Sequence, residues 1–400
     1  MTLIMDKLLI VVGGGVLQEK TFEETKKQGL KTLLIDGAED CWCRSLTDYF
    51  ILNSTKRLGT NVSKVEEFLK AHPELNLVGV YTQGTDVAVT VACLASAFGF
   101  PGIPFEVAMK TNNKILMRKA FELYGIPQPQ FSANKTDFFS FPFVIKSVDN
   151  CASRGLTIVR NADEIPQAVE NAKKFSSNKE YISEDFIDGK EYSVDTVVYK
   201  GVVYPAGISD RIFLDKDNYA IQDGSITPSF LPSETQEKMY ALMQRCASAL
   251  GVTQGAFKGD LIVDKDNHIY VLEVTARLSG GFDSQWRKPL SFGINLIKAT
   301  IDLACGKELD FADLIPKWSK FSQTFTVFPK PGIIKEIKGL EELRNLPGIK
   351  FFALTKHVGE LVEYKTCADR VIHIVAVADT YEQLQETIKQ ARQTLEFITE

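Results

Sequence analysis

Apolar runs alternate with amphipathic segments through the first hundred residues of the chain. Lys7–Val12 is an apolar run, which is the pattern of a strand buried on both faces of a parallel sheet, and Lys31–Ile35 and Leu77–Tyr81 repeat it. Helical segments are predicted at Glu19–Gln28 and Asp86–Phe98, and a glycine follows each of them. This order predicts a βαβ domain, in which helices cover a parallel sheet.

Strands joined by short turns replace this pattern in the middle of the chain. Tyr192–Tyr199 and Val202–Pro205 flank a Lys-Gly turn, while Asp260–Val263 and Ile269–Val274 lie on either side of the turn at 265–268. Both pairs are predicted to form antiparallel hairpins.

Two helices are predicted among these strands. The first runs from Asn112 to Tyr124. The second begins at Ser233 with a capping box to Gln236, and it ends at Gly251.

The last eighty residues mix short strands with a polar helix, which is predicted from Thr380 to about Phe397. The whole chain is therefore predicted to contain a βαβ domain, an antiparallel α+β body and a small C-terminal α+β unit.

Composition restricts the class of protein. The chain has 400 residues, of which 44% are hydrophobic and 24% charged, as in a globular protein of two or three domains. A formal net charge of -5 gives no basic surface for nucleic acid, and no apolar run reaches the roughly 18 residues that span a membrane. The seven scattered cysteines predict reduced thiols and a cytoplasmic location, with Cys41 and Cys43 more typical of ordinary cysteines than of metal ligands.

The strongest local signal for chemistry is a pair of carboxylates, Asp260 and Glu273. If the turn places Asp264 opposite Ile269, counting back places Asp260 opposite Glu273, and opposed residues share one face with Cβ atoms about 4.5–5.5 Å apart. Two like charges there repel each other, whereas an Mg²⁺ ion, which prefers carboxylate, phosphate and water oxygens, would satisfy both. The alternative from the hairpin alone is that Asp260 ends its strand in water and Glu273 pairs with Arg277.

A lysine at the end of an apolar strand gives a second signal. Lys146 follows Phe141–Ile145 and leads into a loop of small residues that includes Ser153, Arg154 and Gly155. Backbone N–H groups of such a loop can surround phosphate oxygens, and the lysine adds a positive charge. A lysine at a strand end is, however, more often a surface residue.

The segment from Glu184 to Glu191 gives a third signal. Backbone groups beside Phe186 and Ile187 could contact an adenine edge, and Glu191 could accept hydrogen bonds from ribose hydroxyls. Taken alone, the segment is better interpreted as an amphipathic edge strand with solvated acids.

A fourth signal is Arg277, which follows Glu273 by four residues and precedes Ser279-Gly280-Gly281. Glycines allow close backbone approach to a ligand, and an arginine can hold a phosphoryl or carboxylate group through two hydrogen bonds. An ion pair between Arg277 and Glu273 is the alternative.

The order of these signals along the chain resembles the ATP-grasp superfamily, which includes biotin carboxylase, the carbamoyl-phosphate synthetase large subunit and the L-amino-acid ligases. The resemblance covers nearly the whole chain, and its most telling segments are Thr111–Lys114, Glu184–Asp195 and Gly259–Phe282. It implies a Rossmann-like domain of the biotin carboxylase N-terminal type at 1–108, and an ATP-grasp domain at 109–318 with a mobile lid at about 140–205. A small α+β domain is implied at 319–400.

The resemblance also implies roles for individual residues. ATP phosphates would contact Lys114, Lys146, Ser153, Arg154 and Gly155. Adenine would be recognised by Glu184 with the backbone at Phe186 and Ile187, and ribose by Glu191. Mg²⁺, or Mn²⁺ in its place, would be held by Asp260 and Glu273. Catalysis would rely on Arg277 and Lys146, and the substrate would meet Arg211, Ser279, Gly280 and Gly281.

The activity implied is that of an ADP-forming ligase, which activates a small carboxylic acid as an acyl phosphate and transfers the acyl group to an amine. A homodimer is the expected assembly. One alternative is an enzyme that uses bicarbonate, such as a carboxylase. Another is an ATP-binding protein with weak catalysis. That alternative is suggested by Thr275, which stands where many relatives have Asn, and by Gly155, the single glycine of the phosphate loop.

Overall fold

The computed structural model describes residues 5–136, 139–150, 153–214, 221–364 and 369–400. Its first domain is built on a parallel sheet of four strands, in the order β3-β2-β1-β4. These strands are β1 (Asp6–Val12), β2 (Lys31–Asp36), β3 (Tyr49–Leu52) and β4 (Leu75–Tyr81). Helices α1 (Glu19–Lys27), α2 (Leu58–Ala71) and α3 (Ala88–Ala97) connect or follow them. The predicted βαβ domain is thereby confirmed.

Two helices replace the single one predicted after this domain. They are α4 (Phe105–Asn112), which the sequence analysis missed, and α5 (Lys114–Leu123). The break occurs because the Asn113 side chain caps α5, accepting hydrogen bonds from the amides of Ile115 and Leu116 at 3.0 and 3.1 Å.

A small antiparallel sheet follows, with strand order β5-β8-β6-β7. Its strands are β5 (Phe131–Ala133), β6 (Phe143–Ser147), β7 (Thr157–Val159) and β8 (Tyr181–Asp185). Helix α6 (Ile165–Phe175) packs on it, and buried side chains such as Phe143, Ile145 and Val159 form their common core.

The centre of the molecule is an eight-stranded sheet with the order β13-β12-β9-β10-β11-β14-β18-β16. The strands are β9 (Gly189–Tyr199), β10 (Val202–Phe213), β11 (Gln222–Thr227), β12 (Gly255–Asp264), β13 (Ile269–Thr275), β14 (Phe321–Phe325), β16 (Ile349–Leu354) and β18 (Ile372–Ala378). Both predicted hairpins are present as β9–β10 and β12–β13. Strand β11 pairs with β14, so the sheet includes strands from both sides of the domain boundary predicted between residues 318 and 319.

The remaining elements surround this sheet. They are α7 (Ser233–Leu250), α8 (Lys288–Phe292), α9 (Leu296–Ala304), β15 (Gly332–Lys338), α10 (Leu340–Asn345), β17 (Leu361–Val362), α11 (Tyr381–Thr394) and β19 (Glu396–Thr399). Strands β17, β15 and β19 form a further small sheet. Within the described ranges, no helix is both long and apolar enough to cross a membrane.

The predicted start of α7 at Ser233 is confirmed, but its predicted capping box and the predicted end of the last helix are wrong. Ser233 is the first residue of α7, after Pro232, and its side chain caps nothing in the described residues, while the Gln236 side chain donates to the Leu231 carbonyl at 2.8 Å. The capping box is instead at the start of α11, which ends at Thr394, and the residues predicted to extend it form β19. Gly251 does end α7, in the left-handed conformation with φ of 85°.

Candidate nucleotide and metal site

A cavity of about 540 Å³ lies between the small sheet and the eight-stranded sheet. The first domain contributes residues 84–86 to its wall, and the C-terminal residues Thr355, Arg370 and His373 contribute another part. Of the predicted site residues, fifteen line this one cavity: Lys114, Lys146, Ser153, Arg154, Glu184, Phe186, Ile187, Glu191, Arg211, Asp260, Glu273, Arg277, Ser279, Gly280 and Gly281. Residues that are far apart in the sequence are thus brought together.

The floor of the cavity is one polar face of the eight-stranded sheet. Cross-strand pairing sets Asp260 opposite both Ser193 and Glu273, and Lys258 opposite both Asp195 and Thr275. Directly paired residues share a face, so these side chains all lie on one side. The other side carries apolar residues that pack on α7. The alternation therefore separates a functional face from a core face.

The opposition of Asp260 and Glu273 is confirmed, but the predicted register of the turn is wrong. Val263, not Asp264, pairs with Ile269, and the register then shifts so that Asp260 still faces Glu273. Leu272 is the additional residue on β13, which makes this a β-bulge. The predicted turn was wrong by one residue, and the bulge shifts the register by one residue, so the predicted partner of Asp260 is still correct.

Asp260 is surrounded by positive charge. It forms ion pairs with Lys258, through a short hydrogen bond, and with Arg211 at 3.6 Å. Burial raises the pKa of Asp260, but Lys258 and Arg211 outweigh it, and the pKa lies below its usual range. Because its side chain is 18% exposed and lies within β12, the alternative that Asp260 ends its strand in water is wrong. Lys258 was missed, although its i, i+2 spacing from Asp260 places it on the same face.

Glu273 pairs with Lys114, whose Nζ lies 3.1 Å from Glu273 Oε1 and also donates to the carbonyl of Asn150 at 2.8 Å. Burial lowers the pKa of Lys114, but Glu273 outweighs it and the pKa stands above its ordinary value. Arg277, the partner considered from the sequence, forms an ion pair with Asp86 at 2.6 Å. A predicted metal ligand, Glu273, and a predicted phosphate ligand, Lys114, are therefore in direct contact.

Comparison with known proteins agrees with this geometry. Residues 111–281 match the ATP-grasp domain, and residues 324–400 match the L-amino acid ligase C-terminal domain 2. The chain therefore contains an ATP-grasp domain, followed by an L-amino acid ligase C-terminal domain 2.

Individual relatives of this ATP-grasp protein are distant. It is 23% identical over 336 residues to the L-arginine-specific L-amino acid ligase of Bacillus subtilis, covering 79% of this chain and 78% of that protein. It is 22% identical over 334 residues to human carnosine synthase 1, covering 75% of this chain but 40% of that protein. The crystal structure of an L-amino acid ligase from Bacillus licheniformis is similar with a TM-score of 0.85 and 23% identity, covering 99% of each chain.

Glu184 is a buried carboxylate held by two cations in the wall of the cavity. Both of its oxygens contact Arg118, at 2.9 and 3.1 Å, and Oε2 also lies 2.7 Å from Lys146 Nζ. Burial opposes ionisation, but Arg118 and Lys146 outweigh it and lower the pKa of Glu184 to about 2. Arg118 was missed, although it follows Lys114 by four residues on α5 and so lies on the same helix face. Its remaining N–H groups donate to the carbonyls of Val271 and Leu272, which ties α5 to the bulge.

The phosphate loop joins β6 to β7. Ser153 and Arg154 line the cavity, and the Ser147 hydroxyl donates to the Arg154 carbonyl at 2.9 Å. Gly155 has a φ of 76°, and a Cβ atom there would lie 3.1 Å from the Phe175 Cβ. Gly155 therefore shapes the loop where it packs on α6 instead of lining the cavity. Cys151 and Ala152, which are part of the predicted loop, lie outside the described residues.

The linker between β8 and β9 forms the predicted adenine end. Phe186 and Ile187 are half-buried and line the cavity together with apolar side chains of both sheets, such as Val144, Ile158 and Leu272. A flat base requires apolar contacts on its two faces and backbone groups that can form hydrogen bonds with its edge. On the floor beside them, Glu191 accepts from Arg211 at 2.8 Å.

The glycine bend after β13, at residues 279–281, forms the other end of the cavity. Ser279 is fixed by Asp195, which accepts from its amide at 3.1 Å and from its hydroxyl at 2.6 Å. A Cβ atom on Gly280 would lie 3.1 Å from the Gly84 carbonyl oxygen. The absence of a side chain at Gly280 thus lets the bend approach the first domain closely.

Proposed function

We propose that the chain is an ADP-forming ligase that activates a small carboxylic acid as an acyl phosphate and then joins it to an amine. The observation that carries this proposal is the opposition of Asp260 and Glu273 on the cavity floor, with Lys114 and Lys146 beside them. Membership of the ATP-grasp ligases supports the ligase chemistry. The acyl phosphate, the acid and the amine are our inferences.

The donor set fits a magnesium ion bound with ATP. Asp260 and Glu273 offer carboxylate oxygens, which Mg²⁺ prefers together with phosphate and water oxygens. The Thr275 hydroxyl is buried, lines the cavity and has no hydrogen-bond partner in the described part of the chain, so it offers a further oxygen. Bound there, the metal would neutralise charge on the β- and γ-phosphates.

The pairing of acids with lysines suggests how the site accepts a nucleotide. Without ligand, Lys114 and Lys258 neutralise Glu273 and Asp260, which would otherwise repel each other. If Glu273 and Asp260 held a metal ion, Lys114 and Lys258 would be available to phosphate oxygens. Lys146 keeps its place because Glu184 holds it. We therefore assign Glu184 to positioning Lys146 and assign the adenine edge to the backbone at 186–187.

The reaction then requires positioning and charge compensation. An oxygen of the substrate carboxylate attacks the γ-phosphorus, the bond to the β–γ bridging oxygen breaks, and ADP leaves. The amine nitrogen next attacks the acyl carbon, and inorganic phosphate leaves. Lys146 and Arg277 would offset the negative charge on the transferred phosphoryl group.

An amino acid is our preferred substrate. The L-amino acid ligases and carnosine synthase named above are similar to this chain, and their names indicate amide formation by amino acids. A cytoplasmic location and a homodimer stay predictions from the sequence. The bicarbonate-using alternative is left as an outcome of the test.

A screen of phosphate release tests the proposal. ATP, Mg²⁺ and pairs of amino acids or other carboxylic acids with amines are incubated with the protein and, as a control, with Glu273→Gln. We expect release that requires both an acid and an amine, and hydroxylamine in place of the amine should yield a hydroxamate from the acyl phosphate. Release that depends on bicarbonate alone would favour the carboxylase alternative. ATP binding without release for any pair would refute the ligase proposal.

A further inference from the structure

Arg287 is a buried cation in the wall of the cavity, ten residues after Arg277. Its side chain is 3% exposed. It ends a π-helical turn, Asp283–Arg287, in which its amide donates to the Phe282 carbonyl at 3.0 Å. Phe282 has a φ of 63°, a left-handed conformation that bulky residues adopt infrequently. Single π turns and left-handed bulky residues occur often at functional sites.

The guanidinium of Arg287 has more hydrogen-bond donors than its surroundings use. Nη2 lies 3.1 Å from Asp283 Oδ2, whereas Nε and Nη1 are buried and have no hydrogen-bond partner in the described residues. Burial lowers the pKa of Arg287 below its ordinary value, against the attraction of Asp283 and Asp195. Burying N–H donors of a charged group without a hydrogen-bond acceptor costs free energy. Such donors in the wall of a cavity therefore suggest that a ligand supplies the acceptor.

Asp283 accounts for only one of the buried donors of Arg287, the one on Nη2. Lys288 is fully buried and lies 2.9 Å from Asp283 Oδ2, and the Ser209 hydroxyl donates to the same carboxylate at 3.1 Å. Lys288 also pairs with Asp195 at 2.5 Å. Lys288 is therefore shared between two acids, and Arg287 supplies the second positive charge of this buried cluster while its Nε and Nη1 have no acceptor in the described residues.

The other charged groups at this end of the cavity favour an anion. Arg370 lines the same wall, and burial together with Arg370 keeps the pKa of His373 well below its usual range, so this imidazole is neutral near pH 7. The acid from the first domain, Asp86, is paired with Arg277. A carboxylate that enters here meets Arg287 without facing an uncompensated acid.

We propose that Arg287 binds a carboxylate of the substrate pair other than the one that is activated. This inference rests on the proposed ligase function and names its substrate class: at least one of the two substrates carries an additional carboxylate. The group is either the α-carboxylate of an amino acid that serves as the amine, or a second carboxylate on the activated acid. Both are planar anions with two oxygens, which match the fork of donors on a guanidinium.

The test compares matched substrates in Arg287→Gln and Arg287→Lys, with the exposed Arg344→Gln as the control variant. For the amine, an amino acid is compared with its amide; for the acid, a dicarboxylate is compared with its monoamide. Loss of a hydrogen-bonded charge pair should raise the KM of the carboxylate-bearing member about 10- to 100-fold. The KM values of its amide and of ATP should change by less than about threefold. One of the two comparisons should show a raised KM for the carboxylate and an unchanged KM for its amide. That comparison tells which substrate carries the carboxylate that Arg287 binds.

Thermal unfolding separates binding from folding defects. With a non-hydrolysable ATP analogue and Mg²⁺, the carboxylate-bearing substrate should raise the Tm of the wild-type protein and of Arg344→Gln, but much less that of Arg287→Gln. If Arg287→Gln does not fold, Arg287→Lys carries the comparison. Equal losses for carboxylates and amides, or unchanged KM values, would overturn the inference while leaving the ligase function intact. A wild-type protein that neither turns over nor shifts with any carboxylate would count against both.

Discussion

The substitution Glu184→Gln tests how much the buried charge of Glu184 contributes to the stability of the fold and to the position of Lys146. The substitution preserves the size of the side chain but removes the charge that Arg118 and Lys146 share. Arg118 is completely buried and cannot turn to water, so the variant leaves its guanidinium facing a neutral amide whose NH₂ group is itself a donor. We therefore expect both a less stable fold and a loosened Lys146.

The expected loss of folding stability in Glu184→Gln can be worked out in two ways. The surroundings lower the pKa of Glu184 from an ordinary 4.5 to about 2. At about 1.4 kcal/mol for each pH unit, this difference corresponds to about 3 kcal/mol of stability near neutral pH. Measurements on other proteins in which one member of a buried ion pair was removed give about 3–5 kcal/mol. The two figures agree within their precision.

Urea unfolding of the wild type, of Glu184→Gln and of Glu170→Gln measures this difference. Glu170 is an exposed residue of the same small domain and serves as the matched control. Because the pKa of Glu184 is lowered by folding, its contribution is complete well above pH 4.5 and is lost as the pH falls toward 2. The stability gap between the wild type and Glu184→Gln should therefore narrow as the pH falls from about 6 to 3. A gap no larger than that of Glu170→Gln, or one independent of pH, would refute the reasoning.

Three further substitutions test the proposed function. Glu273→Ala should abolish Mg²⁺-dependent turnover while circular dichroism shows an intact fold, and undiminished activity would remove the metal assignment. Lys146→Ala should raise the KM for ATP far more than the KM for the amine, and equal effects would contradict its phosphate role. Gly280→Ala should lower kcat/KM, because its Cβ would lie 3.1 Å from the Gly84 carbonyl oxygen. Gly59→Ala is the control, since a Cβ in that helix meets nothing within 4 Å and should leave activity unchanged and stability equal or slightly higher.

The parallel domain and the hairpins could be predicted because each depends on a local pattern. Apolar runs with a glycine after each helix marked the βαβ order, and short polar turns marked both hairpins. The start of α5 could not be placed from periodicity, because one side chain, Asn113, decides where the helix begins. Helix ends depend on individual hydrogen bonds, which the hydrophobic pattern does not record.

The missed site residues share a physical reason. Arg118, Lys258 and Arg287 each look like an ordinary basic residue locally, and only the assembled fold shows that they lie at the cavity: Arg118 pairs with Glu184, 66 residues away, while Lys258 and Arg287 pair with acids two and four residues away. Spacing gave a usable clue for the first two, which share a helix face with Lys114 and a strand face with Asp260. For Arg287 the clue was three-dimensional, since burial and unused donors become visible when the cavity wall is assembled.

The carboxylate pair shows how a correct prediction can rest on an incorrect step. Counting from Asp264 and Ile269 gave the right partner for Asp260, yet the observed turn is one residue longer than predicted, because Val263 pairs with Ile269, and Leu272 restores the alignment as a bulge. Without the bulge, Glu273 would point toward the core side of the sheet, because a one-residue slip exchanges the two faces. The carbonyl of Leu272 accepts a hydrogen bond from buried Arg118 at 2.7 Å, and the same arginine holds Glu184. The bulge that aims Glu273, the proposed metal carboxylate, is therefore fixed by the residue that also holds Glu184 and, through it, Lys146. This arrangement couples the proposed metal and phosphate parts of the site.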